Sequence, residues 1–175
     1  MTAPLQSAAG EHRIEEMEVK IRGLMMDPVT NMPIVVLKDV QSDALVPIWV
    51  GIFEANAIAL EIEKTATPRP MTHDLLANLI RTLDGEVRRV VITELRDDVY
   101  YALIWMERSG ELISLDARPS DALALALRTD CPIFLTGQVL QTTRMANVGV
   151  ENFSAEELRR WLENLNDEDL GRYKM

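Results

Sequence analysis

The chain has 175 residues, of which 47% are hydrophobic, and its 18 basic and 28 acidic side chains give a formal net charge of −10. This length supports one sizeable core rather than two, and the acidic balance excludes tight binding to phosphate backbones unless cations or a local basic patch assist. The sequence contains no run of about 18 apolar residues and no export signal, so we expect a cytoplasmic protein that does not span a membrane.

The first predicted elements are three β-strands. Apolar and charged residues alternate along Glu18–Gly23, which is the period of a half-buried strand, and Asp27-Pro28 marks the turn after it. Two short apolar runs, Pro33–Leu37 and Leu45–Val50, flank a polar stretch and predict a pair of strands joined by a turn. Pro47 has no backbone N–H to donate, so it places the later strand at an edge or a bulge.

Two amphipathic helices are predicted next. The first spans Gly51–Lys64 and ends at the proline-rich segment Thr65–Pro70. Its apolar stripe consists of Ile52, Ala55, Ile58, Ala59 and Ile62. The second helix begins at Thr72, whose hydroxyl is expected to cap the free backbone amides, and it stops at Asp84-Gly85. Its predicted buried face consists of Leu75, Leu76, Leu79, Ile80 and Leu83.

A three-stranded meander and a buried helix follow. The β-rich runs Glu86–Leu95, Val99–Met106 and Glu111–Leu115 are separated by turns short enough for antiparallel hairpins. The segment Pro119–Arg128 fits two structures, because its leucines alternate with alanines as in a strand, yet both residue types strongly favour helices. We predict a buried helix, since proline is common in the first turn of a helix.

The C-terminal part is predicted to contain one more strand and a last helix. The single cysteine, Cys131, cannot form an internal disulfide, and the apolar run Pro132–Leu135 predicts a buried strand beside which the thiol is inert packing rather than reactive. After a polar stretch, Ser154–Glu157 has the pattern of a capping box. The helix beyond it carries the apolar stripe Leu158, Trp161, Leu162 and Leu165. Such a stripe packs on its own domain or on a second subunit, and we expect a homo-oligomer.

Three segments taken together resemble the bifunctional nuclease (BFN) domain family. They are Pro47–Gly51 with Glu54-Ala55 and Ala57–Leu60, then Pro68–Pro70 with Thr72–Leu76, and finally Asp116–Ala122. The similarity runs from Glu18 to Leu135, and the terminal Asp169–Met175 looks like the short tail of bacterial members. The resemblance implies a single-domain α+β fold with a mixed, strongly curved β-sheet, and nuclease activity on DNA and RNA. The fold is expected to carry over better than the activity, because one scaffold can host many sites.

The predicted organisation combines the sequence patterns with this resemblance. Residues 1–14 are expected to form a mobile N-terminal tail, residues 15–146 a BFN-like domain, and residues 147–175 a C-terminal helical extension. The domain is expected to contain two central helices and one buried helix. The extension is expected to contain the C-terminal amphipathic helix.

If the protein's chemistry depends on a histidine, the candidate is His73. The chain has two histidines, and the other, His12, lies in the expected tail. Imidazole as a group can exchange protons near neutral pH and the neighbouring Asp74 could orient the ring, so His73 is a candidate general base or metal ligand. The alternative is structural: Thr72 caps the helix, Asp74 favours its positive end, and His73 is a partly exposed bystander.

A second group of charged residues surrounds the start of the predicted buried helix. Asp116 and Asp121 flank Arg118, and two carboxylates around an arginine could hold a hard cation and steady a phosphate. The alternative is that Asp121 caps the helix while Arg118 pairs with Asp116. Arg69 stands between two prolines on a stiff loop, which suits a phosphate clamp or an internal ion pair. Glu54 lies in a first helical turn, where the dipole stabilises a carboxylate with or without a metal.

The candidate residues divide by role into two competing hypotheses. We predict as catalytic His73, Asp74, Asp116 and Asp121, as substrate-binding Arg69 and Arg118, and as metal ligands Glu54, Asp116 and Asp121. The first hypothesis is a phosphodiesterase that cleaves DNA or RNA with Mg²⁺ or Mn²⁺, whose positive charge also offsets the acidic chain. The second is a non-catalytic oligomeric adaptor, or a small-ligand-binding protein on the same fold. A chelator abolishes turnover under the first hypothesis, and no metal supports turnover under the second.

Overall fold

The computed structural model describes the backbone of residues 15–149 and the side chains of residues 15–143. Within this range the chain forms one seven-stranded sheet and four helices, which confirms the predicted α+β class. The strands are β1 (Glu16–Met26), β2 (Pro33–Asp39), β3 (Leu45–Trp49), β4 (Gly85–Arg96), β5 (Val99–Arg108), β6 (Glu111–Ala117) and β7 (Ile133–Thr136). The helices are α1 (Ile52–Ile62), α2 (Thr72–Thr82), α3 (Pro119–Thr129) and α4 (Gly137–Gly149).

The sheet is mixed, as the family resemblance implied. Its strand order is β3-β2-β1-β7-β4-β5-β6, and only β4 and β7 run parallel among these neighbours. The predicted meander β4-β5-β6 is confirmed. Asp97 and Asp98, with φ of 50° and 60°, supply the left-handed backbone that a tight two-residue hairpin turn needs between β4 and β5.

The sheet is also strongly curved. β3 and β5 are separated by five strand spacings in the sheet order, which would be roughly 24 Å in a flat sheet. Even so, the hydroxyl of Tyr100 on β5 lies 3.4 Å from the carbonyl oxygen of Pro47 on β3. Register shifts within β1 and β4 bend these strands further. The sheet does not close, since β3 and β6 remain its edges, and β3 is therefore the edge strand that Pro47 predicted.

Helix α3 is the predicted buried helix and the centre of the helical layer. It spans Pro119–Thr129 and is followed by the C-cap Asp130, whose φ is 53°. Every residue from Ala122 to Ala126 is at most 2% exposed. Both α1 and α2 pack against α3, and α3 also contacts β4 and β5. The alternation of alanine and leucine therefore reflects a helix buried on nearly all sides, where small residues allow close approach of the neighbouring helices.

The predicted buried face of α2 is largely wrong. Leu75, Leu79 and Leu83 are 62%, 52% and 50% exposed. The prediction is confirmed only at Ile80, and the helix is buried through Ile80 and Ala77. Periodicity shows which side chains share a stripe, but it does not show whether that stripe meets the chain's own core. In α1 the prediction is confirmed for the middle of the stripe, while its two ends are more than two-fifths exposed at Ile52 and Ile62.

The polar stretch after β7, for which the sequence predicted no element, is helical. It forms α4, in which Val139 is fully buried and packs into the core. α4 continues past residue 146, the expected end of the domain, although the boundaries themselves stay predictions. The predicted tail of residues 1–14 and the last helix with Leu158, Trp161, Leu162 and Leu165 lie outside the described residues.

Two further expectations concern the single cysteine and the membrane. Cys131 is half-buried, and burial raises the pKa of its thiol, which agrees with a packing role. In the part of the chain that the structure describes, no helix is long and apolar enough to cross a membrane.

Asp27 organises the predicted turn between β1 and β2. Its carboxylate accepts hydrogen bonds from the Thr30 hydroxyl at 2.7 Å, the Val29 amide at 2.9 Å and the Trp49 indole at 3.0 Å. Burial raises the pKa of Asp27, but these hydrogen bonds outweigh it and lower the pKa from 3.8 to about 2. Because the pKa is lower in the folded state, the stabilisation is present above about pH 4 and is lost as the pH falls towards 2.

We therefore expect Asp27→Asn to flatten the acid dependence of stability. Between about pH 5 and pH 2.5 the wild type should lose about 1 kcal/mol more unfolding free energy than the variant, after allowance for solvent screening of this half-exposed group. Urea unfolding at several pH values measures the difference, and other carboxylates cancel because both proteins contain them. Parallel curves for the two proteins would contradict the assignment.

Candidate functional site

A cleft of about 330 Å³ opens where the N-terminal turns of three helices meet. α1 contributes Glu54, α2 contributes His73, and α3 contributes Asp121 together with Arg118, the residue that precedes the helix. Helix N-termini carry unpaired backbone N–H groups and a partial positive charge. Four of the predicted site residues, far apart in sequence, therefore line one cleft, in which Arg118 and the helix N-termini favour an anion while Glu54 and Asp121 oppose it.

His73 and Asp121 form a hydrogen-bonded pair in this cleft. Nε2 of His73 lies 3.0 Å from Oδ1 of Asp121, and the two side chains are 13% and 32% exposed. Burial raises the pKa of Asp121, but hydrogen bonds from Arg118 and His73 hold it below its usual value. An ionised Asp121 can only accept a hydrogen bond, so Nε2 carries the proton and donates it, which leaves Nδ1 as the basic nitrogen. Within the described residues Nδ1 has no hydrogen-bond partner, so it can accept a proton from a substrate or water.

Arg118 joins the two carboxylates of the cleft. Its Nε and Nη2 donate to the two oxygens of Asp121 at 2.7 and 3.1 Å, and its Nη1 donates to Oε1 of Glu54 at 2.8 Å. These contacts raise the pKa of Arg118. Three of its five N–H groups are thus in use, and because the side chain is 65% exposed the other two can reach a ligand. The alternative pairing of Arg118 with Asp116 is wrong, because the guanidinium turns to the cleft.

Gly51 makes room for Glu54. A Cβ atom at residue 51 would lie 2.1 Å from Oε2 of Glu54, so any larger residue would displace the carboxylate. The Glu54 side chain is 21% exposed and lies in the first turn of α1, as predicted. This close approach was missed from sequence, since it depends on where a side chain three residues later turns back.

Asp74 turns away from the cleft towards α3. Its Oδ1 accepts a hydrogen bond from Nε of Arg128 at 2.5 Å, and its Oδ2 accepts one from the Met71 amide at 2.8 Å. Burial raises the pKa of Asp74, but these contacts lower it overall. The Arg128 side chain is 5% exposed and also donates to the carbonyls of Ala57 and Ala124 at 3.0 and 2.8 Å. Arg128, which sequence reasoning missed, therefore ties α1, α2 and α3 together.

The start of α2 also differs from the prediction. Its N-cap is Met71, and Thr72 is already the first helical residue. The predicted cap by the Thr72 hydroxyl is therefore wrong, and Asp74 satisfies the Met71 amide instead. The alternative reading made His73 a partly exposed bystander; its side chain is 13% exposed and hydrogen-bonded to Asp121, so it has a defined partner in the fold.

Asp116 and Arg69 do not line the cleft. Asp116 is exposed on β6, and its side chain has no hydrogen bond or ion pair with any residue that the structure describes. Arg69 is exposed on the loop before α2, and among the described residues its one hydrogen bond is from the Thr67 hydroxyl to its carbonyl oxygen at 2.9 Å. The position of Asp116 therefore does not support its predicted role as a catalytic residue and metal ligand. The position of Arg69 likewise does not support its predicted role in binding a phosphate.

The described side chains do not form a ready metal site. Among residues 15–143, no group of three or more histidine, cysteine, aspartate or glutamate side chains is arranged to hold a metal ion. Glu54 and Asp121, two of the three predicted ligands, are already bonded to the Arg118 cation. As arranged, these residues do not fit a metal held by protein ligands alone, and we derive no chemical step through one.

Comparison with known proteins agrees with the resemblance. The sequence model of the bifunctional nuclease domain matches residues 35–147, which include every residue of the cleft. An uncharacterized protein of Mycobacterium tuberculosis is 33% identical over 161 residues, covering 87% of this chain and 96% of that protein. Bifunctional nuclease 1 of Oryza sativa subsp. indica is 31% identical over 112 residues, or 62% of this chain and 34% of the plant protein.

A second plant relative shows the same partial overlap. Bifunctional nuclease 1 of Arabidopsis thaliana is 29% identical over 105 residues, covering 58% of this chain and 32% of its own length. The plant proteins therefore share with this chain only about a third of their length, and the mycobacterial relative shares nearly all of it. On the domain match and the mycobacterial similarity, the chain belongs to the bifunctional nuclease domain family.

Proposed function

We propose that the cleft cleaves phosphodiester bonds of DNA or RNA. The observation that carries this proposal is the His73–Asp121 pair, 3.0 Å apart, beside Arg118 at the meeting point of three helix N-termini. A base oriented by a carboxylate and a cation next to unpaired amides are the parts that phosphoryl chemistry needs. Family membership supports the same reaction class, since curated relatives are named bifunctional nucleases.

Each residue of the cleft has a defined task in this mechanism. Nδ1 of His73 takes a proton from the attacking water or ribose 2′-hydroxyl, while Asp121 holds the ring and stabilises the imidazolium that forms. The attacking oxygen forms a bond to phosphorus as the P–O bond to the leaving oxygen breaks. The leaving alkoxide takes a proton from solvent water, and the imidazolium then returns its proton to solvent. The free N–H groups of Arg118 bind a non-bridging phosphate oxygen as its negative charge grows. Glu54 positions Arg118 through the 2.8 Å contact to Nη1.

The charge of the cleft calls for a further cation. Glu54 and Asp121 outnumber Arg118, so the ionised side chains sum to −1 when His73 is neutral. We propose that Arg69 supplies positive charge when substrate binds, because it precedes two cleft-lining residues, Met71 and Thr72, on a loop stiffened by proline. Arg69→Ala should raise KM for an oligonucleotide about tenfold with kcat little changed. An unchanged KM would remove Arg69 from the mechanism.

We also propose that Mg²⁺ or Mn²⁺ assists this cleavage. It is supported by the acidic charge of the chain, since a bound cation would reduce repulsion of the substrate phosphate. Turnover should then be lost on chelation and return when either ion is added back. Full turnover after exhaustive chelation would show that the side chains act without a metal.

The test of the proposed site compares two aspartates. We expect Asp121→Asn to lower kcat on fluorogenic single-stranded RNA and DNA at least about tenfold, because the amide leaves His73 in the wrong tautomer. Asp116→Asn is the matched control: the same change in an exposed residue outside the cleft, which should leave turnover near the wild-type value. Equal turnover in all three proteins would point to another site or a contaminating nuclease.

A second candidate, a non-catalytic oligomeric adaptor, is favoured by one specific observation. The leucine face of α2, formed by Leu75, Leu76, Leu79 and Leu83, is between 37% and 62% exposed. Contiguous apolar faces of this kind mark interaction surfaces, and a face without charged side chains can pair with its own copy about a two-fold axis. We propose a homo-oligomer built through this face, which is also compatible with catalysis.

Light scattering after size-exclusion chromatography tests this interface. The double variant Leu75→Lys, Leu79→Lys should shift the mass to that of a single chain, because four new cations would have to be buried together in the pair. Val29→Lys is the control, since Val29 is equally exposed, at 64%, in the turn after β1. An unchanged mass in the double variant would rule out the leucine face as the interface.

We further propose a cytoplasmic location. The only cysteine is a half-buried free thiol, which suits a reducing compartment. Fractionation of cells that express the tagged chain tests this, and recovery outside the cytoplasmic fraction would refute it.

A further inference from the structure

The apolar lining of the cleft comes mainly from one stripe of α1. Phe53, Asn56, Ala57 and Leu60 are spaced by three, four and seven positions, so they lie on the same side of the helix, and all four line the cleft. The same cleft contains His73, Arg118 and Asp121. An apolar surface and the proposed phosphodiester-cleaving groups are therefore parts of one ligand-sized space.

Two features of this stripe are not explained by folding. Phe53 is 84% exposed, the highest exposure among the large hydrophobic side chains that the structure describes. In addition, Oδ1 of Asn56 is buried and has no hydrogen-bond partner among the described residues. Buried polar atoms are nearly always hydrogen-bonded, so an unpaired acceptor in a cleft suggests a partner on a ligand. The stripe thus offers an exposed aromatic ring and, one helical turn later, a buried unpaired acceptor that a rotation of the Asn56 side chain would turn towards a ligand.

A nucleobase matches both features. Its flat face stacks on aromatic rings, and its amino or imino groups donate hydrogen bonds. Resting on the proposed nuclease function, we infer that the α1 stripe binds one base of a single-stranded substrate, with Phe53 stacked on the base and Oδ1 of Asn56 accepting a hydrogen bond from its edge. In a duplex the faces are stacked on neighbours and the edges are paired, so neither contact can form.

The size and charge of the molecule favour the same substrate. A cleft of about 330 Å³ is near the lower end of the roughly 300–1,000 Å³ range of small-molecule sites, which suits one nucleotide unit. The chain's net charge of −10 opposes any nucleic acid, but a single strand carries half the charge of a duplex per unit length. Single-stranded DNA or RNA is therefore repelled less than a duplex.

Binding is measured separately from turnover. In a full-length His73→Gln background, which suppresses cleavage, fluorescence anisotropy gives the Kd for a labelled single-stranded octamer, as DNA and as RNA. Each octamer is also measured annealed to its complement and with one abasic position. We expect the single strands to bind at least about tenfold more tightly than the duplexes, and the abasic strand to lose part of that advantage.

Variants of the stripe assign the contact. Phe53→Ala should weaken single-strand binding at least about fivefold, the low end of the effect of one lost base stack, while Phe53→Trp should keep it. Asn56→Ala should weaken binding to the intact strand and leave binding to the abasic strand little changed. Val29→Ala, which also trims an exposed apolar side chain, is the control for nonspecific loss.

The outcomes separate this inference from the proposed function. Equal Kd values for wild-type and Phe53→Ala proteins, or equal binding of duplex and single strand, overturn the base-binding stripe even when the wild type cleaves nucleic acid. Binding that depends on Phe53 without turnover in the His73-containing protein supports the stripe and overturns the nuclease proposal. A preference for the DNA or the RNA octamer identifies which of the two single strands the stripe accepts.

Discussion

Replacing His73 with alanine is expected to lower kcat on single-stranded nucleic acid at least about 100-fold, the usual contribution of a general base. Among the described side chains that line the cleft, Arg118 stays protonated, so only His73 has a basic nitrogen that can take up a proton. Its Nε2 is already held by Asp121 at 3.0 Å. The rate at which fluorogenic oligonucleotides are cleaved, measured at several substrate concentrations, gives kcat and KM for each protein. KM should change much less than kcat, because the lost interaction acts mainly in the transition state.

The control for this prediction separates chemistry from folding. His73→Gln keeps a hydrogen-bonding side chain towards Asp121 but lacks a basic nitrogen, so it should lose as much activity as the alanine variant with less loss of thermal stability. Circular dichroism and thermal melting of each variant show whether it is folded. Wild-type turnover in a folded His73→Ala protein would move the catalytic site away from this cleft.

Replacing Arg128 with methionine is expected to lower the free energy of unfolding by about 3 kcal/mol, as for other buried ion pairs that lose one partner. The change would leave the Asp74 carboxylate and the carbonyl oxygens of Ala57 and Ala124 without their donor in a region where Arg128 is 5% exposed. Methionine keeps most of the side-chain volume, so the loss reflects polar contacts. Chemical denaturation measures it, and the melting temperature should fall by roughly 10 °C.

Arg88→Met provides the matched surface control. Arg88 forms ion pairs with Glu86 and Glu107, but all three side chains are 39% to 64% exposed, so the cost should stay below about 1 kcal/mol. Adding Asp74→Asn to Arg128→Met should cost less than the two single changes together, because they remove the same contact. Strict additivity, or a similar small loss for both arginines, would contradict the role of Arg128 as the tie between three helices.

Residues that are neighbours in the sequence do not always belong to the same site. His73 and Asp74 are adjacent, yet on a helix successive side chains point about 100° apart, and only His73 faces the cleft while Asp74 faces α3. Asp116 and Arg118 are two residues apart, yet the chain changes from β6 to α3 between them and their side chains separate. The carboxylate partner of His73 is Asp121, 48 positions away.

Local patterns were sufficient for most of the secondary structure. The alternation in β1, the paired positive-φ residues between β4 and β5, and the proline at the start of α3 each reflect dihedral preferences of a few consecutive residues. These preferences act before any long-range contact forms, so they can be read from the chain alone. The same reasoning missed α4, whose sequence is polar enough to resemble a loop and whose burial at Val139 depends on the sheet.

The amino-acid sequence by itself determined the order of the strands along the chain, the buried α3 and the pool of charged residues from which the site is drawn, and its resemblance to a known family implied the α+β class. Only the tertiary structure decided that α2 exposes its leucines and that Asp74 pairs with Arg128 and does not face the cleft. It also decided that Glu54, His73, Arg118 and Asp121 line one cleft. The physical reason is the curvature of the sheet and the small residues of α3, which together set how three helices pack and where their N-termini converge.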